Sequence, residues 1–230
     1  MKKHIIAIGG GGFGRKMGDL KIEKYIASVS KKDNPKICFI PTATGDSDSY
    51  KVSFYSAFSK INCIPSHIDM FKRTVDLEEH INEQDIIYVG GGNTKSMLAV
   101  WRDWGLDLIL KNAYDNGLIL SGVSAGAICW FSKGITDSWE KDLNLINCLG
   151  FLDGACCPHI DEEKERIPYL SRLIQKGILK ECIAIEGHSA LHLVNGKPFM
   201  SLNFGTNKKS YLLSLDNNKI TSNFFNIKDL

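Results

Sequence analysis

The chain is short of proline, of long apolar runs and of any excess of one charge, and each shortage removes a class of protein. Only six prolines occur in 230 residues. No proline- or serine-rich linker or charge block divides the chain, so one domain spanning residues 1–230, built on one sizeable core, is expected. No stretch approaches the length of a membrane span, and Met1-Lys2-Lys3 runs directly into apolar residues without the pattern of a signal peptide. A cytoplasmic protein with no membrane partner follows as the expectation. Lysine and arginine number 28 against 26 aspartates and glutamates. Without a basic patch interleaved with aromatics, no nucleic-acid partner is expected. Paired C-x-x-C spacing is also missing. The seven cysteines (Cys38, Cys63, Cys129, Cys148, Cys156, Cys157 and Cys182) are odd in number and lie mostly in apolar runs, which favours reduced core thiols over disulfides or zinc ligands.

What is present is an alternation of short apolar strands with amphipathic helices. Strands are expected at His4–Ile8, Lys36–Ile40, Ile64–Phe71 and Asp85–Val89, with helices at Ile22–Lys31, within Asp46–Lys60, at Asp76–Asn82 and at Lys95–Trp101. Near-continuous apolar character, as in Asp85–Val89, is what a strand covered on both faces requires. Asp107–Asn116 reads as the next helix, stopped by Gly117. Lys133–Trp139 reads as a polar loop, Asn144–Leu149 and Phe151–Gly154 as short edge elements, and Ala155–His159 as a strand ending on histidine. Asp161–Lys176 reads as a charged helix and Ile183–Glu186 as a strand. Asn195-Gly196 is then a strong hairpin signal between Ser189–Val194 and Lys197–Leu202, and Asp216–Asn218 separates Tyr211–Leu215 from Lys219–Asn223. The expected fold is therefore α/β: a three-layer α/β/α arrangement with a mostly parallel central sheet and C-terminal antiparallel β-hairpins.

Three segments carry candidate chemistry. Gly9 to Gly14 formally satisfies G-x-G-x-x-G, but the next strand ends in Pro41-Thr42-Ala43-Thr44-Gly45. The carboxylate that a dinucleotide site places at that point is missing, so a loop over the active edge of the sheet is the better reading. Gly117–Trp130 reads as strand, sharp turn and small-residue helix, and Gly122-Val123-Ser124-Ala125-Gly126 within it matches the G-x-S-x-G nucleophile elbow. Such short patterns also arise by chance, and the competing reading is a structural serine in an ordinary strand-to-helix turn. Gly90-Gly91-Gly92-Asn93 follows the fourth strand. If that strand neighbours the elbow strand, an N–H of Gly91 or Gly92 together with that of Ala125 can hold a tetrahedral oxyanion. Asn93 is then either the cap of the following helix or a substrate contact beside the glycines.

In their order and spacing, Gly90-Gly91-Gly92-Asn93, Gly122-Val123-Ser124-Ala125-Gly126-Ala127 and Pro158-His159 make the chain resemble the dipeptidase E and cyanophycinase family of serine peptidases. Phe39–Thr44, Ala184-Ile185-Glu186 and Ala190-Leu191 extend the likeness through most of the sequence. The resemblance implies a fold like that of class I glutamine amidotransferases, with Ser124 as nucleophile, His159 as general base and the Gly91, Gly92 and Ala125 amides as oxyanion hole. Chemistry agrees, because serine needs a base titrating near neutrality. Of the six histidines, His159 ends a core strand, with His188 as its substitute. For the third member the resemblance leaves Asp137 and Glu186 open. It also implies cationic side chains for a substrate carboxylate, for which Arg166 and Arg172 are candidates. However, Asp161–Glu165 is mostly acidic where the dipeptidase segment has a close arginine pair, so a preference for aspartyl dipeptides stays open.

The function expected is that of a serine hydrolase cleaving short peptides through an acyl-enzyme, with no metal or organic cofactor, as a monomer or homodimer. An esterase of the α/β-hydrolase type shares the elbow but places its histidine near the C-terminus, where this chain offers hairpins. A glutaminase would need cysteine at the elbow, and Cys129 lies inside the helix. A small-ligand-binding protein using the glycine loops is the non-catalytic alternative.

Overall fold

The computed structural model describes residues 2–14, 18–73, 76–140 and 142–230. Its first half alternates as the apolar pattern requires: β1 (His4–Ile8), α1 (Lys21–Val29), β2 (Lys36–Ile40), α2 (Asp48–Phe58), β3 (Ile64–His67), α3 (Leu77–Asn82), β4 (Ile86–Val89), α4 (Thr94–Asp103), α5 (Leu106–Asp115), β5 (Ile119–Val123) and α6 (Ala125–Ile128). The second half is richer in strands: β6 (Phe131–Thr136), β7 (Asn144–Asn147), β8 (Leu152–Cys157), α7 (Arg166–Gln175), β9 (Glu181–Ile185), β10 (Ser189–Val194), β11 (Lys197–Asn203), β12 (Ser210–Asp216), β13 (Lys219–Phe224) and β14 (Ile227–Asp229).

Two sheets result. The first runs β14-β11-β10-β1-β5-β4-β2-β3 and the second β13-β12-β9-β8-β6-β7. In the first, β1, β5, β4, β2 and β3 pair in parallel, and the β10–β11 hairpin joins antiparallel to β1. Period-two alternation divides its side chains. Ile6, Ile8, Ile37, Phe39 and Tyr88 face α1 and α2, while Ile5, Ala7, Ile40, Ile87 and Leu120 face α4, α5, α6 and the inner side of the second sheet. The outer side of the second sheet, with Ile135, Cys157 and Ala184, is closed by α7 through Leu170 and Ile174. This is an α/β fold with the first sheet between helical layers, as expected.

Three local expectations are corrected. Lys133–Trp139, read as a polar loop, contains most of β6, which pairs with both β7 and β8. Its polarity misleads because Gly134 lies against Ile128, where a Cβ would be 2.8 Å from the isoleucine Cδ1. The strand read as Ile64–Phe71 ends at His67. The helix read as Asp161–Lys176 begins only at Arg166, because Pro168 is tolerated in a first turn but not deeper. The seven cysteines are free thiols, mostly buried. Among the described residues, no helix is long and apolar enough to cross a membrane.

Two predictions follow from the core. Gly126 packs so closely on β4 that a Cβ would lie 2.3 Å from the Val89 carbonyl oxygen. Backbone on both sides leaves no soft neighbour to move, so Gly126→Ala is expected to cost about 3 kcal/mol and lower Tm by roughly 5–10 °C by calorimetry. Secondly, buried His192 is held between the Tyr25 hydroxyl at 2.8 Å and His4 Nδ1 at 2.9 Å, and burial, helped by the charge of His4, pushes its pKa down to about 4. The unfolded chain takes up this proton near pH 6.5 and the native fold resists it, so stability falls as pH drops from 6.5 towards 4. Tm is expected to fall by roughly 5 °C over pH 6.5–4.5, with His192→Gln removing most of that drop.

Candidate active site

The elbow is a contact between backbones. A Cβ on Gly122 would lie 2.4 Å from the Gly126 carbonyl oxygen, so β5 can turn directly into α6 only with hydrogen at that position. Between the two glycines, Ser124 takes φ 55° and ψ −108°, a conformation non-glycine residues adopt only when their surroundings impose it. Its N–H donates to the Ile8 carbonyl at 3.0 Å, and its carbonyl accepts from Ala127 and Ile128 at 2.9 and 3.1 Å. With the backbone pinned on both sides, the half-buried side chain projects from the turn.

His159 meets it from the other sheet. Two residues beyond β8, it too has positive φ, 68°, and its N–H donates to the Ile185 carbonyl at 3.0 Å. The imidazole is buried, and its Nε2 lies 3.1 Å from Ser124 Oγ. The other histidines lie elsewhere: His4 pairs with His192, His67 bonds to the Tyr55 hydroxyl, His80 lies beside Cys38, and His188 meets Phe204 edge to face.

The carboxylate at the far side of the ring is Glu163, with Oε1 3.0 Å from His159 Nδ1. Sequence reasoning pointed instead to Asp137 and Glu186, and the structure sets both in other surroundings. Asp137 is exposed on the wall of an acidic cleft of about 680 Å³ that also borders Glu163. Glu186 accepts the Lys209 N–H at 3.0 Å. Glu163 escaped notice because 161–176 reads as one solvated helix. The signal that finds it is the run His159, Glu163, Arg166: in a turn entering a helix, positions four and three apart share a face. Arg166, a candidate for a substrate carboxylate, is 1% exposed and grips Glu163 by Nε–Oε2 at 2.9 Å and Nη2–Oε1 at 3.1 Å. Arg172 is exposed beside Tyr169 at the acidic cleft. Asn93 caps α4, accepting the Ser96 N–H at 2.9 Å and donating to the Ser138 carbonyl.

Both glycine loops come to the serine. Gly10, Gly11 and Gly14 line a cavity of about 480 Å³ with Tyr50, Gly91, Gly92 and Ser124. The first loop does not open directly into a helix, since α1 starts at Lys21, as a dinucleotide fingerprint would demand. Arg15 to Met17 lie outside the described residues. In the second loop, β4 neighbours β5, and the N–H groups are accounted for one by one. Gly90 donates to Ile40, Asn93 to Ala43, and Gly91 to the Tyr50 hydroxyl at 3.4 Å. Among the described residues, the Gly92 N–H has no such acceptor. Its φ of 138° and the Ala43 carbonyl, 2.3 Å from where a Cβ would sit, allow only glycine there. Ala125 presents the first N–H of α6, which no helical carbonyl can accept.

Chemically, a hydroxyl, an imidazole and a carboxylate in sequence can activate the hydroxyl as a nucleophile, and two amides beside it can hold a developing negative oxygen. Cys129 is no substitute nucleophile, for it is buried with its thiol pushed well above the ordinary range by desolvation. Among the described residues, no group of three or more histidine, cysteine, aspartate or glutamate side chains is arranged to hold a metal ion.

Comparisons with known proteins bear on the family and the fold. "Uncharacterized peptidase YgaJ" of Bacillus subtilis (strain 168) is 44% identical over 219 residues, covering 95% of each chain. "Uncharacterized peptidase Lmo0363" of Listeria monocytogenes is 29% identical over 136 residues, 54% of this chain and 64% of that one. Among solved structures, a putative peptidase E protein from Listeria monocytogenes EGD-e superposes with a TM-score of 0.66 at 15% identity, over 89% of this chain and all of that one. A peptidase from an acI-B1 actinobacterium does so with a TM-score of 0.72 at 15% identity, over 96% and 93%. Those two likenesses establish the α/β fold. The profile that defines peptidase family S51 matches residues 5–200, and the chain therefore belongs to that family.

Proposed function

We propose that the protein is a serine peptidase that cleaves short peptides through an acyl-enzyme, with Ser124 as nucleophile, His159 as general base and Glu163 as the triad acid. The observation that carries this reading is the 3.1 Å contact between Ser124 Oγ and His159 Nε2 beside the cavity. Nε2 removes the hydroxyl proton as Oγ attacks the scissile carbonyl. Glu163 at Nδ1 fixes the ring's tautomer and stabilises the imidazolium that forms. The Gly92 and Ala125 N–H groups receive the oxyanion. Collapse of the tetrahedral adduct expels the amine, which takes the proton back from Nε2. Water, deprotonated by the same nitrogen, then attacks the ester; the second adduct collapses by breaking the bond to Oγ, which takes the proton from Nε2 as the acid product leaves.

The cavity falls in the size range of small-molecule sites, which supports di- or tripeptides over folded chains. Its described wall offers glycine backbone and the hydroxyls of Thr44, Ser47, Ser49, Tyr50 and Ser53. Arg166 is engaged by Glu163 and Arg172 lies at the acidic cleft, so the described wall of this cavity presents neither arginine to a substrate carboxylate. We therefore read the substrate as a short peptide with no fixed requirement for aspartate.

Two experiments test this reading. A fluorophosphonate probe is expected to label the wild-type protein on Ser124, located by peptide mass mapping, and to leave Ser124→Ala unlabelled. Labelling of wild type elsewhere, or none at all, would remove the nucleophile. For the acid, Glu163→Gln is expected to lower kcat on its best dipeptide by about 10²–10⁴-fold. Asp137→Asn and Glu186→Gln should stay within about threefold of wild type. A larger loss from either of those two would displace Glu163.

A further inference from the structure

We infer that Arg166 is a positioning residue for the catalytic unit, a fourth member behind Ser124, His159 and Glu163 that holds the carboxylate on the imidazole. The inference rests on the triad reading above and extends it.

Glu163 belongs to the turn between β8 and α7, and its side chain is 37% exposed. A glutamate in such a place has several rotamers open to it, and fixing one costs side-chain entropy. Yet a triad acid must be held still, because its work is to fix another group. Arg166, at the first position of α7 and 1% exposed, supplies that constraint. Its guanidinium meets the carboxylate as a planar fork, Nε on Oε2 at 2.9 Å and Nη2 on Oε1 at 3.1 Å. Two parallel bonds fix the plane of the carboxylate as well as its distance. Oε1 is thereby shared between Arg166 and His159 Nδ1.

The guanidinium is itself anchored to the second sheet. Nη1 lies 3.4 Å from the Ile135 carbonyl on β6 and 4.0 Å from Cys157 Sγ on β8. The same strand, β8, leads to His159 two residues later, so arginine and imidazole are referenced to one rigid element. Burying a guanidinium is costly, and a well-packed apolar side chain is often as stable or more so. Stability alone does not call for arginine here, whereas orientation of a half-exposed carboxylate does.

The charges around the imidazole give the inference a signature. Glu163 and Arg166 face it from the turn and α7. From β8, Cys157 is neutral near pH 7, its thiol pushed up to about 11 chiefly by burial. Ser124 approaches from the elbow. From the β9–β10 side, Glu186 holds the Lys209 N–H, and in the same turn as His159, Asp161 pairs with Lys208 and the Gly187 N–H. Glu162, also in that turn, has its carboxylate against Gly187. Removing the Arg166 charge leaves Glu163 uncompensated, which favours the imidazolium. The base is then protonated at a higher pH than in wild type.

The test compares wild type, Arg166→Met, Arg166→Lys and Glu163→Gln/Arg166→Met, using a dipeptide and a pH range of 5–9. Arg166→Met is expected to lose about 10²-fold in kcat with KM changed less than about threefold, as misplacement of a catalytic group does. Its acidic limb of kcat/KM should move to higher pH, and added guanidinium ion should restore part of the rate. Arg166→Lys, which keeps the charge without the fork, should lose less and retain the wild-type limb. In the Glu163→Gln background, the methionine change should cost less than about threefold, because arginine acts through the carboxylate. Unchanged kcat in Arg166→Met overturns the inference. So does a loss with an unmoved limb and no guanidinium rescue, or an equal loss in both backgrounds, since those describe a merely structural arginine. If Arg166→Met does not fold, the lysine variant decides, and wild-type kcat in it overturns the fork. Fluorophosphonate labelling of wild-type Ser124 reports on the triad reading separately.

Discussion

The close approach of three backbones at the elbow governs this structure. Where β5 turns into α6, Gly122 rests on Gly126 and Gly126 rests on β4, leaving no volume for a side chain at either place. That contact forces Ser124 into φ 55° and ψ −108°. The residues that hold the strain are the ones around it: Ala125, Ala127, Ile128, Cys129 and Trp130 are all buried, and the β5 strand is buried along its length. Strain of this kind costs of order 1–3 kcal/mol and persists only where the core over-determines it. Because α6 is a single turn, the chain re-emerges at once as β6 and starts the second sheet. The elbow is thus also the joint between sheets. The path from Ser124 through α6 and β6 to the paired strand β8 is short and hydrogen-bonded, and it fixes where His159 must fall.

The contact between Ser124 and His159 carries an electrostatic requirement if a proton is to pass between them. The imidazole is buried, and any step that protonates it creates a cation in a poorly solvated place, which needs a fixed negative partner. Glu163 provides the charge, but from an exposed turn, and exposed ion pairs are worth little unless their geometry is set. The buried guanidinium of Arg166 sets it. One arrangement therefore accounts for the burial of Arg166: its Nε and Nη2 are engaged by Glu163, and its Nη1 lies against the Ile135 carbonyl.

Much of this was legible in the sequence, and the parts that were not fail for one reason. The short apolar runs His4–Ile8 and Lys36–Ile40, the Asn195-Gly196 hairpin and the glycine spacing of the elbow are local signals, and each returns in the structure where its residues predict. Ser124 and His159 could be singled out because a turn motif and a strand end are also local. The second sheet could not, since β6 reads as polar until β7, β8 and the side chain of Ile128 cover it. Glu163 could not either. Its neighbours Asp161, Glu162 and Glu165 make a solvated helix the economical reading, and only the halt imposed by Pro168 turns that stretch into the loop that brings a carboxylate to the imidazole.

The distinction bears on how far the family likeness reaches. Two solved peptidases share the frame at TM-scores of 0.66 and 0.72 with 15% identity, which is intelligible because the frame asks only for apolar character along strands covered on both faces. Ile, Val, Leu or Phe serve almost equally along β1 or β4, provided total volume is kept. The site asks for particular residues: hydrogen as the side chain at 122, 126 and 92, a hydroxyl at 124, an imidazole at 159, and a planar fork at 166 where a lysine would hold a charge but not a plane. Fold and site are thus held by different kinds of constraint, one distributed over many interchangeable side chains and one concentrated in a few. The described wall beside Ser124 belongs to the second kind, and it presents hydroxyls and glycine backbone.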